Sequence, residues 1–67
     1  MIEIHLNGEP RQIDEGSTLA ALVEQLGQPP AALATAVNGH FVPRPQRSGC
    51  SLQPGDAVTT FQAITGG

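Results

Sequence analysis

From Ile2 to Leu6 apolar and polar positions alternate, with Ile2, Ile4 and Leu6 set against Glu3 and His5. That is the period of a strand with one buried face. Asn7-Gly8 follows; both residues tolerate positive φ, so the dipeptide signals a type I′ hairpin turn. Gln12-Ile13-Asp14 reads as the returning strand. Pro10 has no N–H to give a ladder and belongs at an edge or beside the turn. Glu15-Gly16 breaks the strand, and the hydroxyl of Ser17 or Thr18 is placed to cap a helix. Leu19, Leu22, Val23 and Leu26 then recur at i, i+3, i+4 and i+7, one aliphatic stripe with Glu24 and Gln25 turned to solvent. Gly27 is suited to end this helix, and Pro29-Pro30 cannot continue it.

The second half is less regular. Thr35-Ala36-Val37 reads as a short strand and Asn38-Gly39 repeats the turn signal. Phe41-Val42 resumes until Pro43 and Pro45 stop it. Gln53-Pro54-Gly55-Asp56 places Pro and Gly where a type II turn wants them. The last strand covers about Ala57 to Ile64. Most of the chain separates the first strand from the last, so the two are not hairpin neighbours. Laid side by side and parallel in the middle of one sheet, with the helix across one face, they bury both aliphatic faces. The expected fold is therefore α+β, a β-grasp: a mixed four- to five-stranded sheet with one main helix packed across it. Residues 1–67 form a single domain whose last four residues, 64–67, are a flexible Gly-Gly tail.

Composition narrows the functions such a domain can serve. A chain of 67 residues buries only about 60% of the surface its unfolded form exposes, and stability on the order of 3–5 kcal/mol is expected. Cys50 is the single cysteine, so no internal disulfide forms, and His5 and His40 stand far apart with no companions at metal-ligand spacing. The core must be aliphatic, because Phe41 and Phe61 are the only aromatic residues. Six acidic residues against three arginines give a formal charge of −3, which opposes a nucleic-acid partner. Glu3, Glu9, Asp14, Glu15, Glu24 and Asp56 are scattered, as on a solvated surface or an acidic face that docks on a basic partner. The apolar pattern begins at Ile2, leaving no room for a signal or transit segment. No run approaches the roughly 20 apolar residues of a membrane span. A cytoplasmic protein is expected, with no membrane partner.

The chemistry is concentrated at the end of the chain. Gly66-Gly67 continues a strand expected at the centre of the sheet, so the tail starts from a rigid point. Residues 63–67, extended, reach about 17 Å at roughly 3.4 Å each. Lacking Cβ atoms, the two glycines can thread a channel too narrow for other residues. A carboxylate is a poor electrophile until activated. Adenylation by ATP makes it a mixed anhydride, and attack by sulfur gives a thiocarboxylate, a better nucleophile than the oxygen acid. The chain has no lysine, hence no side-chain amine to attack its own activated end. Such a protein is a co-substrate rather than an enzyme.

The run Ala36-Val37-Asn38-Gly39-His40-Phe41-Val42-Pro43-Arg44, then Pro54-Gly55-Asp56, then Phe61-Gln62-Ala63-Ile64-Thr65-Gly66-Gly67 resembles the ThiS family, the ubiquitin-like sulfur carriers of thiamine biosynthesis. The opening strand, the first Asn-Gly turn and the Leu-rich helix fit as well, so the resemblance spans the chain. It implies that a ThiF-like, ubiquitin-activating-like adenylyltransferase adenylates the Gly67 carboxylate, with Gly66 beside it, and that a sulfur-donating protein supplies the sulfur. A ThiG-like thiazole synthase would then use the thiocarboxylate to build the thiazole ring from a deoxyxylulose phosphate and a glycine-derived imine. No cofactor is bound; ATP and Mg belong to the activating partner. Ile64 and Thr65 lead to the glycines and would touch the partner. Thr60 departs from the larger aliphatic residue usual in such carriers and puts the packing there in question.

Other positions have two readings. Phe61 is six residues from the carboxylate and is either a partner anchor on the open face or part of the core. Phe41 and Val42 read as core or sheet edge before interface. Arg44 is a solvated loop residue or pairs with a partner carboxylate. Cys50 reads as an inert thiol rather than a persulfide relay. The alternatives to a thiazole sulfur carrier are the small subunit of molybdopterin synthase, a ubiquitin-like modifier, and a plain β-grasp binding module.

Overall fold

A computed structural model describes residues 1–27 and 32–62. Strands β1 (Ile2–Leu6) and β2 (Glu9–Ile13) form the opening hairpin, and α1 (Leu19–Gln25) follows. Then come β3 (Leu33–Val37), β4 (His40–Val42), a 3₁₀ helix (Arg44–Gly49) and β5 (Ala57–Gln62). The five strands make one sheet in the order β2-β1-β5-β3-β4. β1 and β5 run parallel, with His5 beside Ala57 and Leu6 beside Val58, while every other pairing is antiparallel. This is the expected β-grasp, with the last strand at its centre.

Local chemistry explains most boundaries. Asn7 and Asn38 both sit at φ +53°, with Gly8 at +86° and Gly39 at +82°, the two-positive pattern of a type I′ turn. Pro10 lies opposite His5 on the edge strand β2, where one side of the strand has no ladder to supply. Between the two capping hydroxyls the fold uses Thr18, whose Oγ1 accepts from the Ala21 N–H at 3.2 Å. Gly27, at φ +72°, follows the last turn of α1. The Asp56 N–H donates to the Gln53 carbonyl at 3.1 Å across Gly55, at φ +85°, as a type II turn requires.

The core gathers Ile4, Ile13, Leu19, Leu22, Val23, Leu33, Leu52 and Val58, with Leu26 and Val42 packed at its margin. It lies between α1 and one face of the sheet. Leu33, Thr35 and Val37 alternate inward on β3, so this strand begins two residues earlier than the expected Thr35. A threonine at the central buried position, wholly inaccessible to solvent, hides the alternation. The stretch after Pro43 is not an irregular loop: Pro45 occupies the first turn of the 3₁₀ helix, where its missing N–H costs nothing. The expected end of the last strand at Ile64 lies outside the described residues. Among those described, no helix is long and apolar enough to cross a membrane.

Candidate functional site

The site is built on β5, because that strand leads into residues 63–67. Gly66, Gly67, Ile64 and Thr65 lie outside the described residues. β5 is held along both sides. β3 pairs with it from Leu33–Gln62 to Val37–Val58; on the other side β1 pairs with it at His5–Ala57 and Leu6–Val58, and the Asn7 N–H just past β1 donates to the Val58 carbonyl at 2.8 Å.

Each Asn-Gly turn adds a side-chain clamp. Asn7 Nδ2 donates to Thr60 Oγ1 at 3.0 Å, and the Thr60 N–H donates to Asn7 Oδ1 at 2.9 Å. Asn38 Nδ2 donates to Asp56 Oδ1 at 3.0 Å, and the Ala57 N–H donates to Asn38 Oδ1 at 2.9 Å. The turn chemistry that reverses the chain thus also grips β5, the strand that precedes residues 63–67. Thr60 has a positive role here: its hydroxyl accepts the Asn7 amide, which an aliphatic residue could not do. Asp56 is a turn residue, its Oδ2 accepting from the Gln53 N–H at 2.8 Å, rather than part of a free acidic face.

Asn7→Ala should lower stability by about 2 kcal/mol. It removes two hydrogen bonds to β5 and puts a Cβ-bearing residue without a local polar partner at positive φ. Asn7→Gly should recover the backbone part only. Denaturant midpoints with an unchanged m-value check this, and an unshifted midpoint for Asn7→Ala would contradict it.

The strand pairing settles the position of Phe61. Val58 and Thr60 face the helix side, so Ala57, Thr59 and Phe61 face away from it. Phe61 is 53% exposed and is not core. Phe41 is also not core: it is 67% exposed on the edge strand β4. Ala36 pairs with Phe41 on one side and Thr59 on the other, and Ala34 pairs with Phe61. Both phenylalanines therefore stand on one face of the sheet over a floor of half-buried Ala34 and Ala36. No described element covers them. Exposed aromatics over small residues are the composition of a docking surface.

Arg44 is exposed at the start of the 3₁₀ helix. Three residues on, Arg47 was not singled out by its sequence, yet it is 4% exposed. Its Nε donates to Thr35 Oγ1 at 3.0 Å, Thr35 Oγ1 donates to the Val42 carbonyl at 3.0 Å, and Arg47 Nη2 donates to the Leu33 carbonyl. Burial lowers the Arg47 pKa, and the nearby Arg44 guanidinium lowers it further. The available signal was Thr35 itself: a hydroxyl at a core position needs a polar partner. Cys50 is half-buried and acts through its backbone, its carbonyl accepting from Leu19 N–H at 2.8 Å. Among the described residues no group of three His, Cys, Asp or Glu side chains is placed to hold a metal.

Comparison with known proteins adds the following. Residues 4–67 match the model of the ThiS family. The chain is 39% identical over 66 residues to the sulfur carrier protein ThiS of Escherichia coli, spanning 98% of this chain and all of that one. It is 36% identical over 66 residues to a thiazole synthase of Magnetococcus marinus, spanning 98% of this chain but 20% of that one. The crystal structure of a thiamine biosynthesis protein (ThiS) from Geobacter metallireducens superposes with a TM-score of 0.85 at 23% identity, covering 98% of this chain and 100% of that one. A solution structure of a thiamine biosynthesis protein from the same organism gives 0.78 at 25% identity, covering 98% and 88%.

Proposed function

The chain belongs to the ThiS family, and from that premise we propose that it serves thiamine biosynthesis as a sulfur carrier, with the sulfur held on the carboxyl group of Gly67. The observation that carries the chemical part is the position of β5. The strand gripped on both sides by neighbours and by two asparagine clamps is the one that Gly66-Gly67 follow in the chain.

In the proposed cycle a carboxylate oxygen of Gly67 attacks the α-phosphorus of ATP on a ThiF-like adenylyltransferase, releasing pyrophosphate. Sulfur at the sulfide level, brought by a sulfur-donating protein, then attacks the acyl carbon and AMP leaves. The resulting thiocarboxylate gives its sulfur to a ThiG-like thiazole synthase. That partnership is supported by the thiazole synthase in which a segment similar to this chain makes up a fifth of the length. ATP and Mg belong to the activating partner, and the cytoplasm, where ATP is plentiful, is the compartment this chemistry asks for. The chain contributes presentation: a rigid strand, a slim end, and the Phe41–Phe61 face as a platform for whichever enzyme holds the tail. Ile64 and Thr65 would contact that enzyme on the way to its nucleotide.

Intact mass spectrometry after incubation with the adenylyltransferase, ATP and a sulfur donor tests the proposal. The expected result is one oxygen of the chain exchanged for sulfur at Gly67, and an unchanged mass with an active enzyme would overturn it. Phe61→Asp should raise the KM of the adenylyltransferase for this chain by roughly tenfold or more, since aromatic anchors dominate such contacts. Its melting temperature should hardly move, because the side chain is largely solvated. A collapse of the melting temperature with an unchanged KM would refute the platform.

A further inference from the structure

Three cationic side chains serve the whole of this acidic chain, and two of them stand together. Residues i and i+3 of a 3₁₀ helix eclipse one another, which brings Arg44 and Arg47 to the same side of the segment Arg44–Gly49. With Ser48 they form one wall of a groove of about 370 Å³, and Ala20, Val23 and Glu24 of α1 form the other. Val23 and Arg47 are buried at its floor, whereas Arg44, Ser48 and Glu24 are exposed at its rim. The Arg47 guanidinium is engaged by Thr35 and Leu33. The Arg44 side chain makes no hydrogen bond or ion pair among the described residues and is the fork available to a visitor.

The groove lies on the helix side of the sheet and the aromatic platform on the other, with the edge strand β4 and the Arg44 that follows it between them. Phe41 lies on β4, the outermost strand on that side, and Arg44 follows it after Val42-Pro43. A protein lying across Phe61 and Phe41 leaves the sheet at β4 and meets Arg44 immediately around the edge.

We propose that this groove receives an aspartate or glutamate side chain of the partner protein that docks on the Phe41–Phe61 face. The inference rests on the proposed use of that face as a platform and names the chemistry of the second contact. A single carboxylate suits the space. It pairs bidentately with one guanidinium, it separates Arg44 from the like-charged Arg47, and its methylene groups pack on Ala20 and Val23. A phosphate of higher charge would face Glu24 across the groove with one uncommitted fork to hold it.

The test uses the full chain and steady-state adenylation by the ATP-dependent partner. Arg44→Glu should raise the KM for the chain about five- to tenfold and leave kcat unchanged, because a rim charge acts on encounter and docking. Arg44→Gln should give a smaller rise. The wild-type KM should climb with added salt more steeply than that of Arg44→Glu. If Phe61→Asp raises KM while Arg44→Glu stays within twofold of wild type at low salt, the groove assignment is overturned and the platform stands. If neither variant changes KM, both fall. Saturable amide shifts at Arg44 and Ser48 on titration of the isolated chain with inorganic phosphate would also overturn the assignment, in favour of a small-anion site.

Discussion

Removal of Gly67 will bring sulfur loading to background and leave the thermal transition where it was. The shortened chain still ends in glycine and still carries a carboxylate, so the loss would come from reach. One extended residue is about 3.4 Å, and a misplacement of about 1 Å between reacting groups already costs on the order of 10²-fold. An end that falls a whole residue short of the α-phosphorus should not react measurably. Stability should be unaffected because the core runs from Ile4 to Val58 and β5 is gripped between residues 57 and 62. Intact mass after incubation with the adenylyltransferase, ATP and sulfur donor, paired with a melting curve, checks both halves. Sulfur incorporation at the wild-type rate by the truncated chain would remove the Gly67 carboxyl from the mechanism.

The second large effect concerns a residue far from the tail. Arg47→Leu should cost about 2–4 kcal/mol, since it leaves the Leu33 carbonyl and the Thr35 hydroxyl short of a donor inside the fold, at roughly 1–3 kcal/mol for each such group. Against a total on the order of 3–5 kcal/mol for a domain this small, that loss unfolds a large fraction of the molecules at room temperature. Loss of amide dispersion in a proton–nitrogen spectrum would report it. Arg47→Lys should not rescue, because one ammonium does not reproduce a planar fork reaching two strand positions. Adding Thr35→Val to Arg47→Leu should recover part of the loss, since it removes one of the two stranded groups.

The pH dependence carries a definite sign. Burial and Arg44 lower the Arg47 pKa in the folded state, so the unfolded chain binds that proton more tightly. This group's contribution to stability rises with pH across the window between the lowered and the ordinary arginine value. An Arg47-dependent fall of the melting temperature as pH rises through that window would contradict the sign.

These two residues mark where the sequence is transparent and where it is opaque. Patterns of short period were readable: the alternation in Ile2–Leu6, the stripe from Leu19 to Leu26, and the two Asn-Gly turns, which both adopt positive φ. The parallel β1–β5 pairing was legible by elimination, since most of the chain lies between those strands. Arg47 was not legible. Its burial depends on Thr35, twelve residues away, and nothing local distinguishes a guanidinium that enters the core from one that stays in water. The prolines around Arg44 signalled a stop, but Pro45 begins a helical turn. Leu52 is similarly buried by partners distant in sequence. At the site, Phe61 had two readings because the parity of a strand is undefined until its neighbours are known; pairing with Ala34 decides it. The asparagine clamps were hidden inside a turn motif already sufficient to explain itself.

The central position of β5 also has a mechanical meaning. On the proposed mechanism, an enzyme drawing the residues after β5 into a narrow channel would pull on this strand from its C-terminal end. Ladder bonds run across the strand direction, so that tension loads the links to β1 and β3 in shear and all together, rather than peeling them one after another as it would at an edge. A peripheral final strand could be stripped from the sheet by the same tug, whereas this one transmits the pull to the body of the domain, which follows its tail as a rigid load.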